Sequence, residues 1–276
     1  MKLPIYQIDA FAEAPFQGNP AAVCPLDDWL PDELLQSIAA ENNLSETAFY
    51  VERDGHYDLR WFTPTKEVDL CGHATLAAAH VLFVLSGSGN SRVTFQSRSG
   101  PLYVVREDEL LTLDFPAQVG VPCETPAEMI EALGSRPSAC YRAMDYMAVF
   151  ESEAEIIAMA PNFRRLMALD LRGVIVTAPG RTADFVSRFF APNYGVDEDS
   201  VTGSAHCTLA PYWAKRLNKS AMSAFQLSKR TGTLRCRVEN ERVFISGRTV
   251  AYLEGTIRIE CQQDRGANAL PRVAHD

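Results

Sequence analysis

Four polar side chains stand where this sequence could carry acid–base chemistry: Glu46, His73, Asp199 and Ser204. Glu46 lies in Leu44-Ser45-Glu46-Thr47-Ala48, a carboxylate among small and apolar neighbours. A carboxyl group placed in such surroundings can take a proton from carbon near neutral pH and return it. The structural alternative is a solvated loop acid. His73 and Ser204 each follow a glycine, Gly72 and Gly203, at the start of a helix-forming stretch. Two helix N-termini facing one space would grip a carboxylate through their unpaired N–H groups, with Gly72, Gly203, Thr202 and Ser45 as binding positions. The alternative there is that glycine merely allows close packing and that His73 and Ser204 are satisfied polar residues. Asp199 ends the acidic run Asp197-Glu198-Asp199 just before Ser200-Val201-Thr202-Gly203. It can relay a proton or position a substrate amine or hydroxyl, although acids near a helix start also stabilise it for structural reasons alone.

Cys71 precedes Gly72-His73, and a thiol near a helix N-terminus can act as base or nucleophile. Its counterpart before Gly203 is Thr202, or Val201 with a one-residue shift, so a two-thiol racemase lacks its second cysteine. The nearest thiol, Cys207, falls inside the helix body. Cys71, His73, His206 and Cys207 do not follow a common zinc spacing, and adjacent His206 and Cys207 point to different helix faces. No GxGxxG, P-loop, HExxH or GxSxG sequence occurs, so no nucleotide, flavin or metal cofactor is expected.

These residues are positioned by a chain that contains the same half twice. Arg60-Trp61-Phe62-Thr63-Pro64 recurs in type as Arg188-Phe189-Phe190-Ala191-Pro192, and Gly72-His73-Ala74 as Gly203-Ser204-Ala205. Phe95-Gln96 recurs as Phe225-Gln226, Gly100 as Gly232, and the hairpin signal Glu107-Asp108-Glu109 as Glu239-Asn240-Glu241. Offsets that long exceed solenoid periods, which reach about 50 residues. They fit two pseudo-symmetric lobes, residues 1–118 and 119–276, with the site in the cleft between them.

Each lobe reads as strands around one helix. In the first, strands fall at 5–11, 21–23, 48–51 and 59–62. A helix starting at Pro31 carries the apolar stripe Leu34, Leu35, Ile38 and Ala39 and stops at Asn42-Asn43. Residues 71–82 are helix-forming and apolar on nearly every side, the mark of a helix buried all round. Strands at 92–98, 101–106 and 110–115 complete the lobe, and the Pro/Gly-rich stretch 117–126 is the linker. The second lobe repeats this with a helix over 161–169, strands at 174–177 and 185–190, and a central helix from Gly203 in which Pro211 introduces a kink. Strands at 224–229, 233–238 and 242–246 follow, and residues after Gln262 are polar and frayed.

Composition is that of an ordinary globular protein, 47% hydrophobic and 22% charged, with a net charge of −9. Residues 1–118 hold 7 Lys/Arg and 17 Asp/Glu against 19 and 18 in residues 119–276, so the first lobe carries the acidic excess. Without a basic stripe, nucleic acid is not an expected partner. No apolar run is long enough for a membrane span, and the start lacks a signal-peptide core. Seven scattered cysteines without that leader point to a reducing cytoplasm.

The segments Asp9-Ala10-Phe11, Gly18-Asn19-Pro20-Ala21-Ala22-Val23, Leu44-Ser45-Glu46-Thr47-Ala48-Phe49, Cys71-Gly72-His73-Ala74-Thr75 and Glu198-Asp199-Ser200-Val201-Thr202-Gly203-Ser204-Ala205 resemble the signatures of PhzF-like phenazine-biosynthesis proteins. The resemblance spans both lobes and nearly the whole chain. It implies a diaminopimelate-epimerase-like α+β fold in which each lobe is a curled mixed sheet around a central helix. It also implies a homodimer and cofactor-independent isomerisation of the trans-2,3-dihydro-3-hydroxyanthranilate type. On this resemblance Glu46 is the essential acid–base group, with His73, Asp199 and Ser204 as its partners. Ser200 departs from the proline often found there. Two rival readings remain: a racemase or epimerase using Cys71, and a small-molecule-binding protein without catalysis.

Overall fold

The computed structural model describes residues 1–87 and 90–259. The first half opens with the antiparallel pair β1 (Lys2–Ala10) and β2 (Asn19–Leu26). In the loop between them Gly18 takes φ +66°, and a Cβ there would sit 2.1 Å from the Ala10 carbonyl oxygen, so only glycine fits. Helix α1 (Asp32–Asn42) buries Leu35, Ile38 and Ala39 and is closed by Asn43 in the left-handed conformation, φ 48°. Strand β3 (Glu46–Arg53) runs parallel to β2, and β4 (His56–Phe62) and the short β5 (Glu67–Val68) follow. Helix α2 (Gly72–His80) continues as a π-helical turn to Leu85. Strands β6 (Arg92–Ser97), β7 (Gly100–Glu107) and β8 (Leu110–Pro116) form a meander.

The second half contains β9 (Val121–Pro122), α3 (Ala127–Leu133), β10 (Ala139–Arg142), β11 (Tyr146–Val149), α4 (Glu153–Ala158), α5 (Phe163–Leu166), β12 (Val174–Pro179), β13 (Phe185–Ala191), β14 (Val196–Asp199) and α6 (Gly203–Leu217). The meander β15 (Ala221–Gln226), β16 (Gly232–Glu239) and β17 (Arg242–Gly247) follows, then the long β18 (Thr249–Arg258).

Pairing makes the repeat visible. Strands run β1-β2-β3-β4-β6-β7-β8 in one half and β10-β11-β12-β13-β15-β16-β17 in the other, and β8 pairs with β17 where the halves meet. Arg60 grips Glu67 through two nitrogens at 2.7 and 2.8 Å, and Arg188 grips Glu198 at 2.7 and 3.0 Å. Each guanidinium also lies over a phenylalanine two residues on, Phe62 at 5.1 Å and Phe190 at 4.9 Å. The hairpin residues Asp108 and Asn240 share a positive φ, 55° and 52°. After each meander the chain crosses to the other half: β9 follows β8 but pairs with β10, and β18 follows β17 but pairs with β1.

Residues 73–80 of α2 are all buried, as an apolar helix wrapped by a sheet must be, and the same core takes in Leu209 and Trp213 of α6. Helix α1 covers the outer face of β2 and β3; α3, α4 and α5 cover β11, β12 and β13. The fold is the expected α+β pair of curled sheets around central helices. It differs in detail from the sequence reading. Instead of one helix over 161–169 there is only the four-residue α5, whose Arg165 N–H is capped by the Asn162 side chain. The α3, α4, β10 and β11 segments and the return strand β18 carry signals too short for the periodicity to expose. Helix α6 runs through Pro211 to Leu217: the missing N–H frees the Cys207 carbonyl, which instead accepts the Gln118 N–H at 2.9 Å. The fraying expected after Gln262 falls outside the described residues.

A pH dependence follows from the core of α6. His206 is fully buried, its Nδ1 2.8 Å from the Thr202 carbonyl, and burial pushes its pKa down to about 4. The unfolded chain binds this proton near 6.5 and the folded chain does not, so stability falls as pH drops from about 6.5 to 4, by roughly 3 kcal/mol for this residue. Denaturant melts across that window should show the decline, and His206→Gln should remove its share, leaving that of His80, which burial also pushes down to about 4.

Candidate active site

Glu46 is the first residue of β3, opposite Ala21 of β2 in parallel register, so the end of the strand delivers its carboxylate beside the N-terminus of α2. His73, in the first turn of α2, places Nε2 3.1 Å from Glu46 Oε2. The two atoms are buried and too poorly aligned to hydrogen-bond, so both keep unspent capacity. Burial alone would lower the His73 pKa, but the charges of Cys71 and Glu46 outweigh it and hold the imidazole well above its usual value. Burial pushes the Cys71 thiol up to about 11. A charged imidazole must donate from Nδ1, and Cys71 Sγ at 3.5 Å is the acceptor there. Asn19 Nδ2, 3.2 Å from Nδ1, cannot accept.

Asn19 ties the two halves together. Fully buried, it donates to Asp199 Oδ1 at 2.7 Å and to the Val201 carbonyl at 3.0 Å, and accepts from Ser45 Oγ at 3.2 Å. Asp199 also accepts from Thr202 Oγ1 at 2.5 Å. Gln226 donates to the Asp199 carbonyl and to Thr202 Oγ1 and accepts the Thr202 N–H at 2.8 Å, which fixes the loop ahead of α6. Burial holds the Asp199 carboxyl above its ordinary range; His73 opposes this and Glu46 reinforces it.

The starts of α2 and α6 approach so closely that a Cβ on Gly72 would lie 3.6 Å from the Gly203 Cα. Their N–H ends therefore share one space. Ser204, at the repeat position of His73, accepts from Arg172 at 3.0 Å, which leaves its hydroxyl hydrogen to point elsewhere. Arg172 is itself fixed by two bonds to the buried Asp145 and lies over the Phe189 ring.

All eight candidate residues (Ser45, Glu46, Gly72, His73, Asp199, Thr202, Gly203 and Ser204) line one cavity of about 190 Å³, together with Cys71, Arg172 and Cys207. Cys207 is a buried thiol pushed up to about 12. Glu46, Cys71 and His73 offer ligand atoms within 4.8 Å of one another, a donor set of zinc type only if Cys71 loses its proton. Asn19, Arg172 and Gln226 were not singled out from sequence. The repeat carried a signal for Arg172. Thr47 faces Phe62 and Val174 faces Phe190, so Ser45 corresponds to Arg172 and Glu46 to Gly173. Leu44-Ser45-Glu46 thus aligns with Leu171-Arg172-Gly173. A Cβ at Gly173 would lie 2.6 Å from the Phe190 carbonyl oxygen, so no side chain fits where the second half would mirror Glu46.

Residues 8–255 match the PhzC-PhzF family, described as phenazine biosynthesis-like protein. This chain belongs to that family. Among PhzC-PhzF relatives, an uncharacterized isomerase of Pseudomonas aeruginosa is 56% identical over 94% of this chain and all of its own. A PhzF-family phenazine biosynthesis protein of Enterococcus faecalis has a solved structure that superposes with a TM-score of 0.92 at 47% identity, covering 94% of this chain and 100% of that one. The PhzC-PhzF chain also shares its fold with a probable proline racemase of Agrobacterium radiobacter K84, at a TM-score of 0.63 and 10% identity over 96% of this chain and 94% of the other. Family and relatives make the protein an isomerase.

Proposed function

We propose that this PhzC-PhzF isomerase moves a proton between carbons of a small carboxylate without a cofactor, using Glu46 as its single proton carrier. The observation that carries this reading is one-sidedness. A half-buried carboxylate and a buried imidazole, each with an unspent buried polar atom, line the cavity from one half, while the matching position of the other half is a glycine with no room for a side chain. Glu46 takes the proton from carbon, becomes a carboxylic acid, and returns it at a second carbon. His73 and Asp199 hold the substrate's amino or hydroxyl group. The helix starts at Gly72 and Gly203, with Ser204, bind the carboxylate and stabilise charge that builds on deprotonation. Residues 1–118, joined by the returning strand β18, and residues 119–247 act as two lobes that close over the substrate.

Arg172 adds a positive wall. Two of its nitrogens hold Asp145 and one of these also reaches Ser204; Nη1 makes no hydrogen bond among the described residues, and a substrate oxygen can take it. Replacing the pair by Arg172→Met with Asp145→Asn, so that no buried acid is left unpaired, should weaken binding of 3-hydroxyanthranilate about 10- to 100-fold in a calorimetric titration.

The function is tested by deuterium exchange in D₂O followed by NMR, with dihydro-hydroxyanthranilate and a panel of small amino and hydroxy acids, with and without chelator. Exchange that survives chelation and Cys71→Ala but not Glu46→Gln is the expected result. Loss in Cys71→Ala alone would replace the proposal by a cysteine-dependent racemase, and chelator sensitivity would overturn its cofactor independence. The high thiol pKa values of Cys71 and Cys207 speak against the racemase.

A further inference from the structure

Outside the cavity, two cysteines stand face to face. Cys123 and Cys140 bring their sulfurs to 3.6 Å, and the Cys123 N–H donates to the Cys140 carbonyl at 3.0 Å. The register of β9 on β10 pairs Val121 with Arg142 and Pro122 with Tyr141, so the next rung opposes Cys123 to Cys140. Directly opposed, hydrogen-bonded residues of an antiparallel pair have Cα atoms about 5.5 Å apart, inside the range a disulfide spans. Cys140 is buried, whereas Cys123 is partly exposed and can be reached from solvent. The other described cysteines (Cys24, Cys71, Cys207 and Cys236) are buried.

We infer that Cys123 and Cys140 form a reversible thiol–disulfide site that takes a low-molecular-weight disulfide as its oxidant. The Cys123 thiolate attacks one sulfur of the small disulfide; a mixed disulfide forms and one small thiolate leaves. Cys140 gives up its proton and attacks the Cys123 sulfur, releasing the second small thiolate. Two protein thiols are oxidised by two electrons, the small disulfide is reduced by two, and the two protons end on the released thiols. The site lies where the chain enters the second half. Upstream of it, Pro116 and Gln118 line the active cavity, and the Gln118 N–H is bonded to the Cys207 carbonyl. A bond between Cys123 and Cys140 would fasten the far end of this segment to β10 and stiffen the stretch across which the halves must move.

The test is mass spectrometry of the full chain equilibrated with oxidised glutathione, alkylated and digested with trypsin. Both cysteines fall in the peptide 107–142, because the bond after Arg136 precedes proline and resists cleavage. The expected result is that this peptide becomes two hydrogens lighter and loses both alkyl adducts, that dithiothreitol restores them, and that amide exchange across 117–123 slows. Cys123→Ser, at the more exposed position, should keep Cys140 fully alkylated and show no slowing. A peptide that remains doubly alkylated, or one carrying glutathione on Cys123 without closing onto Cys140, would overturn the inference.

Discussion

Glu46→Gln should fold as the wild type, bind 3-hydroxyanthranilate with little change, and lose proton exchange by about 10²–10⁴-fold, the range for a placed acid–base group. The substitution is close to isosteric, and Glu46 Oε2 makes no hydrogen bond among the described residues, so no hydrogen bond is lost from the folded state. It removes one of the two groups, Cys71 and Glu46, that hold the His73 pKa up against burial. The His73 pKa of the variant should therefore be lower than in the wild type, visible in a pH titration of its ring nitrogen shifts. Exchange and the His73 pKa should therefore fall together. A variant that keeps wild-type exchange would remove Glu46 from the mechanism. One that loses exchange while the His73 pKa stays at its wild-type value would break the coupling described here.

The second large effect belongs to Asn19→Leu, which keeps side-chain volume and deletes every polar contact. Asp199 Oδ1 and the Val201 carbonyl lose a donor and Ser45 Oγ loses its acceptor, the Val201 contact buried and the other two half-buried. Unsatisfied buried groups cost about 1–3 kcal/mol each, and partial relaxation should leave a net loss of about 2–5 kcal/mol in urea denaturation. Activity should fall on the order of 100-fold beyond that, because Asp199 and the start of α6 are no longer held against the Glu46 side of the cavity. Loss of stability with full turnover would reduce Asn19 to a packing residue.

Sequence exposed the elements with long or repeated signals. Gly72 and Gly203 marked the starts of both central helices, and the aligned Arg60 and Arg188 marked matching strands, each of which proved to grip an acid in the same way. Glu46, His73, Asp199 and Ser204 were visible as chemistry-bearing types at motif positions, and they do line one cavity. Asn19, Arg172 and Gln226 were not, because their parts depend on partners that only the fold supplies, 180 and 182 residues away for Asn19 and 24 to 32 residues away for Arg172 and Gln226. Asn19 meets Val201 and Asp199 across the interface between halves; Gln226 has a repeat mate, Gln96, that is exposed and has no such part. Arg172 could have been found by extending the repeat one strand upstream, where the offset shrinks to 127. The short α3, α4 and α5 lack the length for a periodic pattern and owe their helicity to tertiary burial against the sheet.

The crossing of β9 and β18 has a consequence for how the chain is made. During synthesis, β1 emerges first and keeps one edge open until residues 249–258 leave the ribosome, nearly a full chain length later. A truncated product ending at the first meander would present that bare edge to other nascent chains, and translation itself therefore gates when this protein becomes safe from aggregation.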